Sequence, residues 1–153
     1  MSQILNVQEI LDLVPQQAPF RFIDSILSIN ENEIVGEYTY KQDESFYAGH
    51  FPGNPVTPGV ILLETMAQTG VVAFGLYLLS LKVDKSELSN WVTLFSDAQV
   101  EYYKPVFPGE KVTMKAKKIF WRRMKLKCEV EMHNDKDELV CSCVISGMGV
   151  PKQ

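Results

Sequence analysis

Between residues 60 and 81 the chain reads VILLETMAQTGVVAFGLYLLSL, and the reading of this stretch decides the fold. With apolar side chains on nearly every side, a helix here has no face to turn to water, so it is expected to be buried all round. The rival reading is a membrane span, because the 17 residues from Thr65 to Leu81 carry no charge and approach spanning length. Thr65, Gln68, Thr69, Gly70 and Gly75 interrupt the apolarity, and Glu64 would lie near one membrane face with no basic flank before Lys82. A core helix fits better.

Sheet signals lie on both sides of it. Residues 20–29 and 33–40, rich in β-branched and aromatic residues and separated by the turn NENE, read as a hairpin. From Met124 onward, Met124, Leu126, Cys128, Val130 and Met132 alternate with Lys125, Lys127, Glu129, Glu131 and His133, the period of a strand with one dry face. HNDKDE is the turn that follows, residues 139–147 return as its partner, and Val112, Met114 and Ala116 begin an earlier strand after the turn FPGE. Near the N-terminus, Asn6 followed by Glu9 suggests a capped helix stopped by Pro15. Strands before and after one buried helix predict an α+β fold, an antiparallel sheet wrapped around a long central helix, as one domain over 1–153.

Composition narrows the function. With 46% apolar residues the chain can bury a full core without staples. Cys128, Cys141 and Cys143 are odd in number and lack metal-ligand spacing, which predicts reduced core thiols; no metal and no cofactor are expected. The start MSQILNVQEILDLV lacks the regions of a signal peptide, and the protein is read as cytoplasmic. Net charge is −4, yet Lys111, Lys115, Lys117, Lys118, Arg122, Arg123, Lys125 and Lys127 follow one another with no acid between them. Such a strip suits a solvated strand face or local docking of an anionic partner. The overall acidic balance argues against nucleic acid.

The chemistry is concentrated just before and within the helix, in AGHFPGNPVTPGVILLETMAQTG, residues 48–70. Pro52, Pro55 and Pro58 stiffen the loop that carries His50. Thr57 suits an N-cap and Pro58 a first helical residue, and Gly59 leaves the next N–H groups open to an approaching group. Such a helix end carries partial positive charge and free donors that can hold a developing oxyanion. Glu64 follows on the second turn, with Gln68 at i+4 able to orient its carboxyl. Together these supply a base, an acid and an oxyanion site, a set suited to proton abstraction beside a carbonyl with loss of a β substituent. Met66, Phe74 and Tyr77 read as core residues that could also line an acyl tunnel.

GHFPGNPVTPGVILLETMAQ resembles the signature of the 3-hydroxyacyl-acyl-carrier-protein dehydratases of bacterial type II fatty acid synthesis, the FabZ/FabA group of hot-dog proteins. APFRFIDSI and KPVFPGE resemble further segments of that family, in the right order from about Leu11 to about Gly147. The resemblance implies a hot-dog fold, His50 and Glu64 as catalytic residues contributed by different protomers, a Gly59 N–H that polarises the thioester carbonyl, a Val56 carbonyl that orients the imidazole, and Gln68 behind the acid. It implies a homodimer, allows a trimer of dimers, and makes an acyl carrier protein the partner. Glutamate at position 64 resembles the FabZ branch, implying dehydration without isomerisation. Val14-Pro15-Gln16-Gln17 departs from the family's Leu-Pro-His-Arg, and Tyr103 and Lys104 make VEYYKP less basic than the family pattern. A dehydratase of a polyene or polyketide pathway and a hot-dog thioesterase are the alternatives; a non-catalytic acyl-binding subunit would be expected to lack His50 or Glu64.

Overall fold

The structure, a computed structural model, describes residues 4–153. Helix α1 (Val7–Leu13) opens on the expected capping box: the Asn6 side chain accepts the Glu9 N–H at 2.9 Å, and the Glu9 carboxylate accepts the Asn6 N–H at 3.0 Å. Caps of this kind contribute about 1 kcal/mol. Six strands follow: β1 (Ser25–Ile29), β2 (Glu33–Thr39), β3 (Trp91–Tyr102), β4 (Lys111–Arg122), β5 (Lys125–Asn134) and β6 (Leu139–Pro151). They form one antiparallel sheet in the order β1-β2-β4-β5-β6-β3, and helix α2 (Gly59–Ser80) packs inside its curve. The α+β reading holds. Although α2 is long and apolar enough to cross a membrane, two thirds of its apolar window is buried within the chain.

Register explains the dry face. Leu126, Cys128, Val130 and Met132 on β5 lie opposite Gly147, Ile145, Cys143 and Cys141 on β6, and all are buried toward α2. Met66 from the helix meets this layer through sulfur, 3.8 Å from the thiols of Cys141 and Cys143. Each large apolar side chain buried here contributes about 1.5–3 kcal/mol. Phe22, Tyr38 and Tyr40 pack edge-on or tilted at the other end. The helix comes close to the sheet because glycines leave room: a Cβ on Gly70 would meet Val130 Cγ2 at 2.9 Å, and one on Gly147 would meet Val71 Cβ of the helix at 3.2 Å.

Four features differ from the sequence expectations. The helix is not uniform: Gln68–Ala73 is wound as a π-helix between α-helical Gly59–Ala67 and Phe74–Ser80, and the Gly70 carbonyl accepts the Cys128 S–H at 3.2 Å. Met124 does not begin a strand; with Arg123 it forms the tight β4–β5 turn at φ 64° and 51°, the positive-φ pair that two-residue hairpins favour. Strand β3 is a long edge strand whose pairing is interrupted between Phe95 and Asp97, and the bulge disrupts the alternation by which it could have been read. Finally, the acid-free basic strip is not an acid-free surface. Lys117 pairs in register with Glu33 and Glu129, Lys115 faces Glu131, and Lys111 reaches Glu37 at 3.3 Å. Nearer the hairpin tip Lys125 pairs with Asp97 at 3.6 Å, whereas Lys118, Arg122 and Arg123 lie beyond this interleaving.

Candidate active site

The loop before α2 is braced at several points. The Tyr47 and Thr57 hydroxyls hydrogen-bond at 2.6 Å, and the Thr57 N–H donates to Val106 at 2.8 Å. Thr57 is therefore not the N-cap: its hydroxyl is engaged with Tyr47, Pro58 adopts an extended ψ of 139° as the cap, and Gly59 is the first helical residue. The consequence for chemistry survives the one-residue shift. Among the described residues, the N–H groups of Gly59 and Val60 have no hydrogen-bond partner, as expected for a helix start without a side-chain cap. A surface hollow of about 360 Å³, lined in part by Gly59, Leu62, Tyr102 and Lys104, lies at this end.

His50 is fixed through one nitrogen. Its Nδ1 lies 2.9 Å from the Val56 carbonyl oxygen. A carbonyl only accepts, so Nδ1 carries a proton, and in the neutral ring the lone pair is on Nε2. The Val56 N–H returns a bond to the His50 carbonyl at 3.0 Å. The Phe51 ring lies over the imidazole with centroids 4.3 Å apart, and the His50–Phe51 peptide is cis.

Glu64 is fixed through Gln68. The Gln68 amide donates to Glu64 Oε2 at 2.9 Å and to the Phe20 carbonyl at 3.0 Å, while its oxygen accepts the Phe22 N–H at 2.6 Å. Gln68 is fully buried at the first turn of the π segment, so the carboxyl is oriented by a side chain that cannot swing away. Burial lifts the Glu64 pKa above the usual carboxylate value, and the bond from Gln68 only partly opposes it. The carboxyl opens onto a small pocket of about 50 Å³, whose lining includes Gln16, Ala67, Thr93 and Phe95.

Each residue picked from sequence is therefore held, but the two candidate groups are not brought into contact within the chain. His50 and Glu64 share no hydrogen bond among the described residues, and His50 does not line the Glu64 pocket. The loop, α2 and the neighbouring edge strand β3 expose apolar side chains: Phe51 56% and Val60 72% on the first two, Phe95 50% and Tyr102 46% on the strand. Tyr102 escaped sequence reading. Its hydroxyl donates to the Gly59 carbonyl at 2.7 Å, and its ring lies so close that a Cβ at Gly59 would meet it at 3.0 Å. Gln16, Thr93 and Phe95 were likewise not singled out as site residues, because only the folded edge strand and the segment after α1 bring them to Glu64.

Residues 14–142 match the FabA-like domain model. The chain belongs to the FabA-like family. It is 36% identical over 116 residues to the 3-hydroxyacyl-[acyl-carrier-protein] dehydratase FabZ of Chlamydia trachomatis, covering 74% of this chain and 72% of that protein. It is 32% identical over 152 residues to the FabZ of Lawsonia intracellularis, covering 97% and 94%. The family assignment thus agrees with the segments that carried the resemblance. Among solved structures, a thioesterase of Haemophilus influenzae superposes with a TM-score of 0.67 at 16% identity, covering 98% of this chain and 94% of that one. The PaaI protein of Escherichia coli superposes with a TM-score of 0.58 at 16% identity, covering 80% of each. These two share the fold.

Proposed function

We propose that the protein removes water from 3-hydroxyacyl thioesters carried on an acyl carrier protein, giving the trans-2-enoyl thioester of fatty acid synthesis in the cytoplasm. The observation that carries this reading is that the chain holds both a His50 imidazole bound through Nδ1 to the Val56 carbonyl, so that Nε2 faces away from that bond, and a Glu64 carboxyl whose pKa burial raises. Nε2 takes the α-proton, the Cα–Cβ double bond forms as the Cβ–O bond breaks, and the Glu64 proton leaves with the hydroxyl as water. Negative charge developing on the thioester oxygen is met by the free N–H of Gly59 at the positive end of α2.

The site works as a dimer. One chain leaves His50 and Glu64 apart and exposes apolar side chains on the loop, on α2 and on the β3 edge. Burying that edge against a second copy covers the apolar surface and brings one protomer's imidazole to its partner's carboxyl. Glutamate at position 64 favours dehydration without double-bond isomerisation. The carrier docks near the hairpin tip bearing Arg122 and Arg123. Incubation with a 3-hydroxyacyl thioester, recording enoyl absorbance and free thiol together, tests the reading: enoyl product without thiol release is expected, and thiol release without enoyl product would make the protein a thioesterase.

A further inference from the structure

The proposed oxyanion donor sits on a residue that is free to turn. Glycine has the widest backbone freedom of any residue, no side chain caps the start of α2, and the Gly59 N–H has no partner among the described residues. Part of the restraint is local: the Pro58 carbonyl, in the same peptide unit as that N–H, accepts the Ile61 and Leu62 N–H groups at 2.9 and 3.1 Å. The rest comes from the sheet. The Tyr102 hydroxyl donates to the Gly59 carbonyl at 2.7 Å, and its ring lies where a Gly59 Cβ would meet Cζ at 3.0 Å and Cε1 at 3.2 Å. One side chain thus holds Gly59 at two points, by its hydroxyl and by its ring.

Tyr102 can serve as a clamp because its own strand end is fixed. It lies in register with Cys141 on β6, whose thiol packs 3.8 Å from the Met66 sulfur of α2. The next two residues, Tyr103 and Lys104, both donate their N–H groups to the Val140 carbonyl, at 2.8 and 3.1 Å. Partial burial raises the Tyr102 pKa above the usual tyrosine value, so the hydroxyl keeps its proton and remains a donor at neutral pH. A donor already aimed where charge develops needs no reorganisation during the reaction, and that is where such groups gain most of their effect. The bond from Tyr102 acts on the direction of the Gly59 N–H and not on the acyl group itself.

Resting on the dehydratase reading, we propose that Tyr102 is a positioning residue whose hydroxyl fixes the first residue of α2 and so aims the Gly59 N–H at the thioester carbonyl. The test uses Tyr102→Phe, which keeps the ring and deletes the hydroxyl. Tyr103→Phe is the control, because the Tyr103 hydroxyl bonds to Glu101 at 2.9 Å and reaches Ser142 at 3.4 Å. Decanoyl-pantetheine labelled at its carbonyl, a saturated thioester with no 3-hydroxyl to lose, is bound at saturation to each protein, and its C=O stretch is read by isotope-edited infrared difference spectroscopy. A donated hydrogen bond lowers that stretch, so the band should move to higher wavenumber in Tyr102→Phe and stay in place in Tyr103→Phe. With 3-hydroxydecanoyl-pantetheine, kcat should fall about three- to tenfold in Tyr102→Phe while KM changes less, because the donor matters most as charge develops. An unshifted band in Tyr102→Phe, or an equal shift in Tyr103→Phe, would overturn the assignment. The unreactive ligand separates it from the reaction: a Tyr102-dependent band without enoyl formation would support the positioning role and reject the dehydratase, and enoyl formation with a band indifferent to Tyr102 would do the reverse.

Discussion

Gln68→Leu tests the strongest link between fold and chemistry. The substitution keeps roughly the size of the side chain and deletes three hydrogen bonds: from the Phe22 N–H, to the Phe20 carbonyl and to Glu64 Oε2. Phe22 is fully buried, so its N–H is left without water or protein and costs about 1–3 kcal/mol. Phe20 is largely exposed, so its carbonyl is the more easily rehydrated and adds less. The total should be a loss of about 2–4 kcal/mol, or roughly 4–16 °C in Tm for a chain of this size, measured at fixed protomer concentration because assembly shifts apparent stability. The same change acts on the acid. Gln68 supplies the hydrogen bond that lowers the Glu64 pKa, so removing it raises that pKa further. A general acid must hold its proton, hence the alkaline limb of the pH–rate profile should move to higher pH. Chemical denaturation and a pH profile of kcat read both effects. A stability change under about 0.5 kcal/mol, or an alkaline limb that stays in place or moves toward acid, would refute the account of Gln68 as the group that fixes and tunes Glu64.

His50→Ala should lose at least about a hundredfold in kcat while its denaturation profile stays cooperative; near-normal turnover would remove His50 as base. Mixing His50→Ala with Glu64→Gln under subunit exchange should restore about a quarter to a half of the sites, whereas no recovery despite proven exchange would put both residues in one chain's site. Reversing Arg122 and Arg123 to Glu should raise KM for carrier-bound substrate and spare a small thioester, with the effect fading in salt; equal loss on both substrates would leave the hairpin a solvated face. Glu64→Gln should abolish dehydration and yet stabilise the fold near neutrality. Because the folded pKa of Glu64 is raised, its contribution to stability is present below the unfolded pKa and lost as pH rises through the folded one. The gain on removing the charge should therefore be larger at pH 7 than at pH 4, and thermal melts at both values check it.

What the sequence could tell depended on how local the determining contacts are. The capping box at Asn6 and Glu9, the β1–β2 turn and the clean alternation of β5 are each fixed by neighbours in sequence, and each is found where it was expected. Strand β3 was not assigned as a strand because its apolar residues answer to no single alternating face within the chain: as an edge strand it has one partner, and the bulge after Phe95 changes which face is which. The Arg123–Met124 turn lacks the glycine or asparagine that marks positive φ. The π winding at Gln68–Ala73 leaves the apolar pattern unchanged, since a helix apolar all round reads the same at either pitch.

The site divides along the same line. His50, Val56, Gly59, Glu64 and Gln68 fall within 19 residues of one another, so loop stiffness and helical spacing were enough to nominate them. Tyr102, Thr93 and Phe95 reach α2 from a strand 29 or more residues beyond Glu64, and no local pattern marks them. The residues that perform the proposed chemistry are thus carried by a short motif, while part of the wall around Glu64 comes from the sheet. A motif that is local in sequence can therefore nominate a reaction class, whereas the walls of the pocket become visible only in the fold.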